Sequence, residues 1–150
     1  MQMQFTIRFI VFFLFISSMS QRVLAQQDST TITVTVTELR NNNGMVGITI
    51  FNSEDGFPSD PDKAIEKRYV EIKNQIAETK FENLPSGKYA IAVYHDEDED
   101  GEIETNFIGI PKEGTGSSNN PKSRMGPPRY EDCEFDTREI RELTIVMKYF

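Results

Sequence analysis

The sequence predicts an all-β fold, a two-sheet antiparallel β-sandwich of about seven strands. Three observations carry this. Apolar residues alternate with period two near both ends of the chain, turn residues separate the short apolar runs throughout, and almost nothing reads as helix.

Residues 1–25 stand apart from the fold. Arg8 precedes an unbroken apolar run, residues 9–16, and residues 17–25 become small and polar, ending Val23-Leu24-Ala25 before Gln26. A small residue at the end of such a segment suits signal peptidase, and the apolar run is too short to span a bilayer. Residues 1–25 are therefore expected to be a signal peptide and residues 26–150 a single domain, exported to the periplasm or beyond the cell. No membrane span is expected after the leader is removed.

The chain carries 24 acidic residues against 16 Lys and Arg, a formal charge of −8, and losing Arg8 and Arg22 with the leader moves it to about −10. Nucleic-acid binding requires a basic face, so that partner class is excluded. Cation binding or solubility fits the acidic balance. Cys133 is the only cysteine, so no internal disulfide forms, and acidic neighbours argue for a buried strand thiol over a nucleophile.

Taken in order, residues 31–39 begin a strand with Ile32, Val34 and Val36 on the core side and threonines on the other. Asn41-Asn42-Asn43-Gly44 reads as a hairpin turn into a second strand, residues 45–52. Residues 53–62 are loop, and Pro61 starts a helical turn or two, to about Lys67, with Asp60 as its N-cap. Residues 69–72 and 77–81 read as short strands, and residues 83–87 as a turn. Residues 88–94 are apolar at almost every position, the pattern of a strand buried on both faces. Residues 106–129, rich in Gly and Pro, form a long connection of the kind that is functional or disordered. Residues 130–135 and 143–149 alternate again as the last strands.

The central strand runs into five consecutive acids, Asp96-Glu97-Asp98-Glu99-Asp100, followed by Gly101-Glu102-Ile103-Glu104. This matches the first nine positions of a calcium loop, in which side chains one, three and five converge on the ion, Gly at six allows the sharp turn, and residue seven offers its carbonyl. Asp96, Asp98 and Asp100 are the expected carboxylate ligands, with Glu102 through its carbonyl and Glu104 through water. Ile103 is expected to pin the loop to the core. Position twelve, normally a bidentate Glu, is Phe107, so a further ligand must come from elsewhere, with Asn106 and Glu113 the nearest candidates. An incomplete, flexible oxygen cage suits calcium better than magnesium. The competing account is a solvated acidic tip that binds no ion and protects a sheet edge.

His95, the only histidine, shares a strand face with Tyr89, Ile91 and Val93 and is expected at the rim of the core in a structural hydrogen-bonding role. The chain lacks the second His or Cys cluster that a triad or zinc site requires. A secreted hydrolase pairing His95 with Asp96, Asp98 or Glu113 is the alternative to a non-catalytic module, and a purely structural envelope domain without an ion is a third. Exposure of Phe107, Ile108 and Ile110 would argue for a partner, which is expected to be an envelope protein or glycan; the chain itself is expected to be a monomer.

His95-Asp96-x-Asp98-x-Asp100-Gly101, followed by Asn106-Phe107-Ile108-Gly109-Ile110-Pro111-Lys112-Glu113-Gly114 and Ser118-Asn119-Asn120, resembles the DUF2141 family of exported bacterial proteins. Leu84-Pro85-Ser86-Gly87-Lys88-Tyr89-Ala90 and Gly126-Pro127-Pro128 fit the same pattern, which covers residues 31–149 and departs at Ser117, where members usually carry an aromatic. The resemblance implies an exported, mostly β domain with no established activity. The Leu-Pro-x-Gly-x-Tyr run also looks like the corresponding segment of transthyretin-like and carboxypeptidase regulatory-like sandwiches, which supports an Ig-like or transthyretin-like fold and nothing more.

Overall fold

The computed structural model describes residues 29–122 and 126–150; the expected signal peptide, residues 1–25, lies outside the described residues. Among the described residues, eight strands run in the order β1 (Ser29–Thr37), β2 (Met45–Phe51), β3 (Glu66–Glu71), β4 (Ala77–Pro85), β5 (Lys88–Asp96), β6 (Thr115–Ser117), β7 (Phe135–Asp136) and β8 (Glu142–Val146). One sheet has the order β4-β1-β8; the other has the order β3-β2-β5-β6, with β7 also beside β5. The strand pairs are antiparallel apart from β1–β8, which is parallel, with Val34 opposite Leu143 and Val36 opposite Ile145.

Alternation explains the layers. Ile32, Val34 and Val36 of β1 face Val46, Ile48 and Ile50 of β2 and Ile91 and Val93 of β5, and Phe81 and Ile145 fill the space between them. β5 is buried on both faces as its composition predicts, because the five-stranded sheet is covered on its outer side too. There Phe51 meets the ring of Phe57 edge-on, and Phe57 meets Tyr130.

Three local expectations are corrected. The Asn41–Gly44 turn is not a hairpin, since β1 and β2 belong to different sheets. It seats instead against the end of β5: a Cβ at Gly44, whose φ is +64°, would lie 1.9 Å from the carbonyl oxygen of Asp96. Of residues 130–135, read as a strand, only Phe135 is in one, at the start of β7. Tyr130–Cys133 forms one helical turn, α1, because Arg129 ion-pairs with Asp132 three residues on and residues 130 and 133 share its inward side. Cys133 is buried as expected, and burial is the main cause that pushes its thiol pKa up. Finally, the helical turn at Pro61–Lys63 has its Asp60 cap, but the chain is extended again from Glu66 into β3.

Candidate metal centre

The site begins with the period of β5. Successive side chains point to opposite faces, so His95 enters the sandwich core and Asp96 points outward under the acidic loop. Asp96 is 1% exposed. Its Oδ2 accepts a hydrogen bond from the Gly101 amide at 3.1 Å, and its Oδ1 has no hydrogen-bond partner among the described residues. Gly101, at φ +80°, supplies the backbone conformation the loop needs there. Its carbonyl accepts from the Tyr94 hydroxyl at 3.0 Å.

Glu113 arrives from the far side of the loop and is 5% exposed. Its Oε1 accepts from the Glu97 amide at 3.0 Å and its Oε2 from the Glu104 amide at 3.4 Å, so one carboxylate ties the start of the loop to its later stem. The His95 amide donates to the Gly114 carbonyl at 2.8 Å, which anchors this arrangement to β5. One carboxylate oxygen from each of Asp96, Asp98 and Glu113 lies within 4.8 Å of the others. The three together could hold a metal ion. Burial, followed by the charges of Asp96 and Asp98, holds the Glu113 pKa above the usual carboxylate range.

The other candidates are placed differently. Asp100 is not in this cluster; its Oδ1 accepts from the Glu102 amide at 2.8 Å, much as Asp98 accepts from the Asp100 amide at 3.3 Å. Glu102 is exposed, and Glu104 is exposed and ion-paired to Lys112 at 3.2 Å. Asn106 is turned to its own loop, where its Oδ1 accepts from the amides of Ile108 and Ile110, each at 3.0 Å. Ile103 is 40% exposed and does not pin the loop. The convergence expected of three aspartates is thus met by two aspartates and Glu113.

Glu97 faces away from the cluster. It pairs with the Arg40 guanidinium and accepts from Asn41 Nδ2 at 2.6 Å, and these contacts, Arg40 first, hold its pKa down to about 2. Arg40 also lies over the Tyr149 ring, 4.7 Å from its centroid. His95 is fully buried, not at the rim: Nε2 donates to the Asn43 carbonyl at 2.8 Å, and Nδ1 is 2.7 Å from the Tyr149 hydroxyl. Arg40 and Tyr149, together with Asn43, which the sequence offers only as a turn residue, make this supporting shell. Their common signal is polarity beside a buried strand end.

The Ser118-Asn119-Asn120 run has a structural role. Buried Ser118 Oγ accepts from the Ile91 amide and donates to the Cys133 carbonyl, Asn119 Nδ2 donates to the Glu134 carbonyl, and Asn120 pairs with the Thr144 carbonyl and the Val146 amide. These bonds tie the loop to both sheets. Among the described residues, no helix is long and apolar enough to cross a membrane.

Comparison with curated proteins and with solved structures finds no match. The family described as "Uncharacterized protein conserved in bacteria (DUF2141)" matches residues 34–144, from β1 to β8, and the chain therefore belongs to the DUF2141 family.

Proposed function

We propose that this chain is an exported, non-catalytic β-sandwich module whose acidic loop binds calcium, and that the bound ion holds residues 97–113 in shape for an envelope partner or glycan. The carrying observation is Asp96 Oδ1, a buried carboxylate oxygen with no hydrogen-bond partner among the described residues, beside two further carboxylates. A buried anionic oxygen left unbonded is costly, and a divalent cation is the partner that also offsets the repulsion from Asp98 and Glu113. An all-oxygen ligand set of three carboxylates favours a hard cation, and a cage drawn from a loop suits the larger, less geometrically demanding calcium over magnesium.

The non-catalytic part of the reading is supported by His95. Both ring nitrogens are occupied and the ring is in the core, on the opposite face of β5 from Asp96. A general base must reach its substrate's proton, and this ring is closed in. The exposure of Phe107, Ile108 and Ile110 favours a partner over a purely structural role.

Isothermal titration of the exported chain with calcium tests the proposal. Saturable binding with Kd on the order of 10⁻⁴ to 10⁻³ M is expected, the range of extracellular calcium modules. Absence of binding up to several times that concentration overturns it.

A further inference from the structure

We propose that Tyr94 is the positioning residue of the ion site: its hydroxyl holds the Gly101 carbonyl, and with it the stretch that delivers Asp98 to Asp96 and Glu113, in place before the cation arrives. The inference rests on the calcium reading above. Residues 98–103 need such a hold. They carry Asp98, Glu99, Asp100 and Glu102 beside the buried carboxylates of Asp96 and Glu113, so like charge drives the stretch outward. The bonds of the Asp98 and Asp100 side chains are local, to the amides of Asp100 and Glu102. Among the described residues, Gly101 alone ties this stretch to the rest of the chain by hydrogen bonds, its amide donating to Asp96 Oδ2 at 3.1 Å and its carbonyl accepting from the Tyr94 hydroxyl at 3.0 Å. Asp96 is itself an ion ligand; Tyr94 is not.

The sheet builds this hold from a missing side chain. Tyr94 of β5 and Gly47 of β2 are cross-strand partners, and the Tyr94 ring occupies the place a side chain at Gly47 would take: a Cβ there would lie 2.1 Å from Tyr94 Cε1. The ring is 6% exposed, so it is fixed by packing and its hydroxyl arrives at the loop in one position. Tyr69 of β3, the partner of Gly47 on its other side, brings its hydroxyl to 3.2 Å from that of Tyr94. A carbonyl only accepts, so the single Tyr94 proton goes to Gly101 and Tyr69 supplies the proton between the two phenols. Lys67 completes the row, its Nζ 4.7 Å from the Tyr69 ring centroid and 5.5 Å from that of Tyr94.

The consequence falls on affinity. A loop held closed in advance spares the ion the cost of closing it. Without the Tyr94 hydroxyl the competent arrangement is populated for only part of the time, and the apparent affinity drops by that fraction. The loss is felt at Asp98, the one exposed member of the cluster, whereas Asp96 stays on β5 and Glu113 keeps the amides of Glu97 and Glu104. Removing the Tyr69 hydroxyl leaves the bond between Tyr94 and Gly101 in place, so Tyr69 has little weight in affinity.

The test is calorimetric titration with calcium of the exported chain, of Tyr94→Phe and of Tyr69→Phe, beside the melting temperature of each in EGTA and in millimolar calcium. Tyr94→Phe keeps the ring over Gly47 and is expected to raise Kd about threefold to tenfold, the worth of one hydrogen bond, and to gain less melting temperature from calcium than the parent does. Tyr69→Phe is expected to stay within about twofold of the parent Kd. A Tyr94→Phe variant that melts lower by the same amount with and without calcium, and whose Kd is unchanged, makes the hydroxyl structural only; the assignment is then overturned while the calcium reading stands. A rise in Kd as large in Tyr69→Phe overturns it too, since the Gly101 bond would not be what carries the effect. If the parent binds no calcium, both readings fall.

Discussion

His95 and Asp96 are neighbours in β5 and meet opposite environments. His95 lies in the core with both ring nitrogens bonded, and Asp96 lies on the outer face with one buried oxygen that bonds nothing among the described residues. One side chain is satisfied by the fold, and the other is left for something the fold does not supply.

His95→Ala removes a buried ring and leaves the Asn43 carbonyl without its donor. A loss of about 2–4 kcal/mol is expected from the cavity and the stranded polar group. Urea denaturation reads it directly, and a loss below about 0.5 kcal/mol would show that the ring is not the brace described.

Arg40→Ala tests the arm that turns Glu97 away from the cluster. Glu97 is held down to about 2 from an ordinary 4.5. Its contribution is complete above 4.5 and is lost as pH falls through about 2. The destabilisation caused by Arg40→Ala is therefore greatest near neutral pH, at about 0.5–1 kcal/mol for a partly exposed pair, and shrinks as pH falls toward 2. Denaturation curves at pH 7 and pH 2.5 that differ from the parent by the same amount would contradict the pairing.

The sandwich was legible because β1, β5 and β8 announce their faces locally: alternation in β1 and β8, and a continuous apolar run in β5. The same alternation put His95 on the face of Tyr89, Ile91 and Val93, although at the rim and not in the core where it lies. What local pattern cannot carry is pairing at a distance. The parallel contact of β1 with β8, and the entry of Glu113 in place of Asp100, depend on where remote segments are brought. β6 escaped notice because Thr-Gly-Ser has no strand signature; a Cβ at Gly116 would come within 2.9 Å of Ile145, so the small residue reflects the closeness of the opposite sheet. The Asn41–Gly44 turn misled because Asn-Gly signals a reversal, not which sheet the next strand joins.

Asn106→Ala removes the acceptor shared by two amides of the 105–111 turn. Amide exchange at Ile108 and Ile110 should accelerate about tenfold, corresponding to about 1.4 kcal/mol of local opening. The melting temperature should hardly move, since this turn buries little of the core. Unchanged exchange at both amides would mean that Asn106 does not hold the turn.

The most direct test of the account is the melting temperature of Asp96→Asn beside the parent, each with and without calcium. The amide can keep the Gly101 bond while offering a donor to the neighbouring carboxylates, so the variant without calcium should be more stable, by about 1–2 kcal/mol, or about 4 °C or more. The parent should gain stability in millimolar calcium, and Asp96→Asn should gain none. A variant that melts below the parent without calcium, or that responds to the ion as the parent does, would show that the buried oxygen of Asp96 is not waiting for a cation.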